Sequence, residues 1–365
     1  MTNPLTWWDS LGRPLTRLPR WGAASVLVLL AALMVWSAFA GASPQMSGPT
    51  QIQTNAEPSD GDLVLYARIS QRVAAGEPYY AVAMEEQRAG DYPTRPFVTV
   101  RLPTLAWLHS MIGVGGVRMF CLALLLGSLV GLHQRLPSIL PVPERVSALF
   151  MLALGGAAVA APLAGLLHEV LAGLLLTLAF TLYTPQRWWP SLLAAGLALA
   201  VRELAAPFVL LWLAFAMAGK RWREVAALCS LLLIFAAGMY LHYHGVEMRR
   251  SIDDSASQGW NGMMGLALPL MALSRLTALL VFPAMLAAPL AILPLVGWLG
   301  LGGRMGLFAV LWFAGYFTAM ALFARPENFY WVQLTLPAYM AGMAFAPRAI
   351  TELGTISFGQ RERQP

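Results

Sequence analysis

A chain of 365 residues that is 58% hydrophobic and only 12% charged departs from soluble domains, which are about 45–50% apolar and about 25% charged. That composition excludes an ordinary soluble enzyme and marks a polytopic, all-α membrane protein. The net charge of +6 comes from short basic clusters between apolar runs, with no basic stripe interleaved with aromatics, so it reads as membrane topology and not as a nucleic-acid footprint.

Arg13, Arg17 and Arg20 precede an apolar run from Trp21 to Ala40. Positive charge ahead of a first span places the N-terminus in the cytoplasm. The run ends in Ala38-Phe39-Ala40, similar to a signal-peptidase site, but its length is that of a spanning helix, so an uncleaved anchor is expected. A long polar segment follows, and residues 42–114 form the expected first external loop. Within it, Leu63, Leu65, Ile69 and Val73 recur at near-helical spacing and predict an amphipathic helix on the membrane surface, stopped by Gly76 and Pro78. A second short helix is expected from about Tyr80 to Ala89, ended by Gly90, with extended backbone at Pro93 and Pro96.

Apolar runs between charges then predict further spans at about 115–133, 146–161, 165–183, 190–201, 204–218, 224–243, 276–300, 305–323 and 329–346. The total is about ten in a single transmembrane domain, with both termini cytoplasmic. Arg135, Arg145, Arg187, Lys220, Arg304 and Arg348 all fall on the expected inner side. Cys121 and Cys229 lie far apart within apolar runs and read as neither a disulfide nor a metal site.

A chain this apolar has few places for charged chemistry. Asp60 and Asp62 stand just before the surface helix, where a carboxylate can take a proton from a hydroxyl or position a metal; helix capping would also place them there. Arg95 and Arg101 suit phosphate recognition, while Tyr79 and Tyr80 can stack on a sugar or anchor at headgroup level. Arg202-Glu203 sits between two apolar runs, at a depth where charges are paired or line a wet cavity unless the pair caps a turn. His168-Glu169 lacks the second histidine of a zinc protease motif, since position 172 is Ala, and Glu169 is a candidate for the same external cavity as Asp62. Arg325, Glu327, Asn328 and Tyr330, with Arg249, Arg250 and Arg275, add cations on the external side that suit an anionic lipid phosphate.

These residues also carry a family resemblance. An Asp shortly before a Leu65-Tyr66 helix, then Gly76-Glu77-Pro78-Tyr79-Tyr80, then Tyr92-Pro93-x-Arg95-Pro96-Phe97-x-x-Val100-Arg101-x-Pro103-Thr104-Leu105 resembles the small GT-C integral-membrane glycosyltransferases that use polyprenyl-phosphate sugars, near the mannosyltransferase-like families. The likeness is best across residues 59–108, and His168-Glu169, Arg202-Glu203 and Glu327-Asn328-Phe329-Tyr330-Trp331 are similarly placed. The resemblance implies a hexosyltransferase of the cell envelope, acting at the external face of a bacterial-type inner membrane on a polyprenyl-phosphate sugar donor. It further implies an external-loop Asp as base toward the acceptor hydroxyl. Asp62 matches that position and Asp60 is the second choice, because the family's two acidic residues are often adjacent and Gly61 separates them here. The donor phosphate would be held by Arg250, Arg202 and Arg325, and a divalent cation is compatible with such chemistry. Two other classes remain open on the same residues: a transporter or flippase of a lipid-linked saccharide, and a non-catalytic membrane subunit of an envelope polysaccharide machine.

Overall fold

The computed structural model describes residues 3–41, 61–136 and 140–359; Asp60 and most of the segment leading to it lie outside the described residues. Among the described residues the chain is helical, with no strand and one isolated bridge between Arg95 and Ala256. Five segments are long and apolar enough to cross a membrane: Arg20–Ala40, Phe97–Arg135, Trp222–Glu247, Ala284–Leu301 and Gly303–Phe323. Their outward surfaces are apolar too, with Leu29, Leu233 and Ile234 each about two-thirds or more exposed. Such faces are stable against lipid and costly in water, which makes this a membrane protein.

In chain order the helices are α1 (Pro4–Leu11), α2 (Arg20–Gly41), α3 (Asp62–Ala74), α4 (Tyr79–Ala89), α5 (Thr104–Arg135), α6 (Val142–Gly155), α7 (His168–Leu182) and α8 (Trp189–Val201). They continue as α9 (Ala206–Ala218), α10 (Trp222–Glu247), α11 (Ala267–Arg275), α12 (Ala284–Leu290), α13 (Leu293–Leu301), α14 (Gly303–Phe323), α15 (Leu336–Ala341) and α16 (Ala346–Ser357). Helix α7 is apolar all round and buries almost every side chain, so it is the axis on which α5 and α8 pack. Its Gly173 lies so close to the backbone of Gln333 and Leu334 that a Cβ would not fit, which lets the 326–334 segment approach. Helix α5 breaks at Gly113, whose φ of 69° suits a residue without a Cβ.

The bundle has two distinct ends. One gathers both chain termini: Asn3 binds the Ala218 carbonyl, Asp9 pairs with Arg304, Arg13 with Glu352, and Arg348 with Glu144. The other carries α3 and α4, which bury Leu65, Ile69, Val73, Tyr79, Val82 and Met84 in a small core of their own against Val100 and Val246. That apolar stripe explains why a segment with so many charges still folds as helix.

Where one regular helix was expected at 329–346, the chain instead makes a 3₁₀ segment (Pro326–Leu334), α15 and a further 3₁₀ turn (Gly342–Phe345). Pro337 lacks the backbone N–H that a helix continuous through 329–346 would use, and it stands instead in the first turn of α15. The 276–300 run is likewise divided, into a 3₁₀ turn (Ala278–Val281), α12 and α13. Cys121 is buried and Cys229 exposed, and both are free thiols.

Candidate functional site

A cavity of about 600 Å³ opens at the α3/α4 end of the bundle. It takes Asp62 and Tyr66 from α3, Arg101 from the entry to α5, His168 from α7, Arg202 and Glu203 from the α8–α9 break, and Tyr330 and Trp331 from the 3₁₀ segment. Asp62 is the first residue of α3, after an extended Gly61, where a carboxylate is stabilised by the helix dipole. Tyr66 lies one turn on and therefore shares its face. Asp62 is half-buried and makes no hydrogen bond or ion pair among the described residues. A carboxylate at a cavity wall with no partner among the described residues is available to a ligand.

Arg101 is the cation facing it. Its Nε donates to the Tyr66 hydroxyl at 3.0 Å and its Nη2 to the Tyr330 hydroxyl at 3.1 Å. No carboxylate lies within ion-pair distance of Arg101 among the described residues. Burial pushes the Tyr66 phenol well above its ordinary pKa, against the opposing pull of Arg101. Each hydroxyl accepts from Arg101 through its oxygen and keeps its O–H as a donor. Arg101 and the two tyrosines form a donor set suited to an anionic oxygen.

The paired tyrosines of the Gly-Glu-Pro-Tyr-Tyr stretch hold this set in place. Tyr79 donates to the Arg101 carbonyl at 2.6 Å. Tyr80 donates to His242 Nδ1 at 3.2 Å, and His242 Nε2 donates to the Val100 carbonyl at 3.1 Å. Tyr79 reaches the cavity wall; Tyr80 does not.

Arg202 behaves differently from Arg101. Its Nε donates to Glu169 at 2.7 Å and its Nη1 to Glu203, with Arg202 and Glu169 almost fully buried and Glu203 24% exposed. Two carboxylates thus more than balance one guanidinium, which disfavours an anion there, and the triad reads as the braced back wall of the cavity. Glu169 lies behind that wall and Glu203 faces the cavity. His168, 4% exposed, packs edge-on to Tyr66 with ring centroids 5.0 Å apart, and neither of its ring nitrogens makes a hydrogen bond among the described residues. Nearby, His109 Nε2 donates to the Gly165 carbonyl at 2.9 Å, and Nδ1 accepts from Ser70 at 2.7 Å, which fixes it as a neutral wall residue.

One flank of the cavity is apolar. Leu204 and Pro207 face Gly315, Ala319 and Phe323, which stand four residues apart along one face of α14. A Cβ built on Gly315 meets nothing within 4 Å. Over the mouth runs the 251–262 loop, contributing Ser257 and Trp260 to the wall. Arg88 anchors it through Asp254 at 2.6 Å, and that guanidinium holds the Asp254 carboxyl below its usual range. Arg95 donates to the Asp254 carbonyl, and Ser257 N–H donates to the Arg95 carbonyl at 2.7 Å. Arg325 reaches Gln258 at 2.7 Å and lies 4.0 Å from Glu327, both at the mouth.

Of the residues singled out in the sequence, Asp62, Tyr79, Arg101, Arg202, Glu203, Arg325 and Glu327 converge on the cavity wall. Arg95 and Tyr80 stand outside it, bracing the loop and the backbone before α5. Arg250 also stands outside, exposed and paired with Glu247 at 2.9 Å, so it is not part of the donor set around Arg101. Asp60 lies outside the described residues. Tyr66 and His168 were present in the quoted motifs but carried no assigned role; the four-residue offset of Tyr66 from Asp62 was the signal that would have placed it. Among the described residues no three His, Cys, Asp or Glu side chains are grouped to hold a metal. Comparison of the chain with family models, with curated proteins and with solved structures finds no match.

Proposed function

We propose that the cavity transfers a sugar from a polyprenyl-phosphate donor to an acceptor hydroxyl, with Asp62 as general base and Arg101 on the donor phosphate. What carries the reading is that one cavity joins an apolar flank to a carboxylate and a guanidinium that make no ion pair among the described residues. Few other ligand classes need all three. The acceptor O–H approaches the anomeric carbon and its proton passes to the Asp62 carboxylate. The new glycosidic bond forms as the bond from the anomeric carbon to the phosphate oxygen breaks, and the electron pair leaves on that oxygen. Arg101, Tyr66 and Tyr330 face the charge that develops there; preorganised donors of this kind are worth about 100- to 1,000-fold each. The isoprenoid would lie along Leu204, Pro207 and the Gly315–Phe323 face of α14.

In this reading Arg202 serves the wall and Arg325 the mouth, which shifts the phosphate-binding role from the arginines first assigned to Arg101. The cavity end faces the outside of an inner membrane, and the end holding both termini faces the cytoplasm. Support comes from the basic clusters at Arg13–Arg20, Arg135, Arg145, Arg187 and Lys220–Arg223, which belong to the terminal end. About ten crossings follow if α6 to α9 and the 326–345 segment also traverse the bilayer.

The test is a transfer assay in nanodiscs with a panel of polyprenyl-phosphate sugars, run on wild type and Asp62→Asn together. Donor consumption by wild type alone is the expected result. Saturable donor binding by both proteins with turnover by neither would overturn the transferase and favour carriage of the lipid-linked sugar across the membrane.

A further inference from the structure

At the end of the bundle opposite the cavity, three arginines converge on a second, much smaller cleft walled by aromatic rings. Arg135, the last residue of α5, donates to the Phe180 carbonyl and lies 5.4 Å from the ring centroids of both Phe180 and Tyr183. No carboxylate lies within ion-pair distance of it among the described residues. Arg221 sits 5.4 Å from the same Tyr183 ring on the other side. Its nearest carboxylate, Glu224, is 3.5 Å away and already accepts from Trp212 Nε1 at 3.1 Å and from the Tyr183 hydroxyl at 3.3 Å. That contact is made by Arg221 Nε, which is buried and makes no hydrogen bond among the described residues. Arg304 completes the cleft and pairs with Asp9 at 2.7 Å.

Among the described residues three guanidinium groups therefore meet two carboxylates, and the excess positive charge sits at a cleft walled by aromatic rings. Arg135 caps the end of α7 through the Phe180 carbonyl, but that bond neutralises no charge. A half-buried cation of this kind is stabilised by an anion with several acceptor oxygens, and arginine forks match phosphate geometry. The cleft offers about 40 Å³, and since one water needs roughly 10–15 Å³ on such a measure, it admits a group the size of a phosphate and excludes a nucleotide or a sugar. Trp189 and Trp222, 59% and 66% exposed, flank the same end of the bundle. Exposed tryptophans at helix ends mark the headgroup level of a bilayer. We infer that this cleft binds the phosphodiester of an anionic membrane lipid, with Arg135 and Arg221 as its principal ligands and the acyl chains outside the bundle.

The test is native mass spectrometry of the full chain released from micelles doped with phosphatidylglycerol or phosphatidylcholine, comparing wild type, the double variant Arg135→Gln/Arg221→Gln, and Arg68→Gln on the distant α3. Wild type and Arg68→Gln should retain phosphatidylglycerol at least about 10-fold better than the double variant, a difference of about 1.4 kcal/mol, and phosphatidylcholine should not be retained. Equal retention by all three proteins overturns the site. Displacement of the lipid by millimolar inorganic phosphate, with equal affinity for either, would make it a site for the free ion and overturn the lipid assignment. Should the double variant not fold, wild type decides alone. Phosphatidylglycerol, but neither phosphatidylcholine nor inorganic phosphate, should slow phenylglyoxal modification of Arg135 and Arg221 mapped by peptide mass; no slowing overturns the inference.

Discussion

The two arginines that reach the cavity from opposite sides, Arg101 and Arg202, show how differently one residue type is used within a single site. Arg202 is enclosed by Glu169 and Glu203 and almost completely buried. Arg101 donates to neutral hydroxyls, those of Tyr66 and Tyr330, with no carboxylate within ion-pair distance among the described residues. The first arrangement satisfies its own charge and carries a net negative one, which does not attract an anion. The second positions a charge while leaving it unneutralised, which is what recognition of an anion requires. A wall that is electrostatically closed can support a partner that is open, and the pairing of the two is what gives the cavity its polarity.

The sharpest break of this comparison is Arg202→Ala. It strands Glu169 in the interior, and removing one member of a buried pair costs about 3–5 kcal/mol, so thermal melting in detergent should show a large loss of stability. Next comes Asp62→Asn, which leaves no buried charge unpaired and should melt like wild type while sugar transfer falls about 100-fold or more, the scale of a lost general base. A variant that lost stability in step with activity would place Asp62 with Arg202 as a wall residue. Arg101→Lys is third: an ammonium cannot reproduce the planar fork between two hydroxyls, so the donor KM should rise about 10-fold, or about 1.4 kcal/mol. Arg250→Ala, off the cavity, should leave that KM unchanged, and a rise there would return the phosphate site to the external loop.

Local rules made much of this legible. The stops at Gly76 and Gly90 and the apolar stripe of α3 are short-range patterns, and they emerge as written. The long apolar runs at Arg20–Ala40 and Trp222–Glu247 are equally direct. What stayed hidden is whatever depends on the antiparallel packing of distant helices. In sequence Arg202 has only its neighbour Glu203 beside it, because Glu169 is 33 residues away; only the packing of α8 on α7 adds the second carboxylate. Arg101 looked equivalent to Arg95 for the same reason, until Tyr330 arrived from the far end of the chain. The irregular 326–345 segment was read as a plain span because hydropathy counts apolar residues and ignores the N–H group that Pro337 lacks.

The smallest effect expected concerns the loop over the mouth, and it contrasts Asp254 with Asp62. Asp254 is held by Arg88, by the Ser251 N–H at 2.9 Å and, through its carbonyl, by Arg95. The Arg88 hydrogen bond is the main cause of its lowered pKa. A carboxylate whose pKa is depressed on folding contributes stability above its unfolded value, near 3.8 here, and loses it as pH falls through the folded value. Protection of the 251–262 amides against hydrogen exchange, corrected for intrinsic rates, should therefore be flat from about pH 7 to 5 and decline only below about pH 4. In Arg88→Gln the protection should be lower throughout and the acid step should shrink. A step near pH 6 in wild type would mean that a histidine, and not this clasp, holds the loop over the cavity. Since the clasp is exposed on its arginine side, the change should stay local to the loop and leave the melting of the bundle where it was.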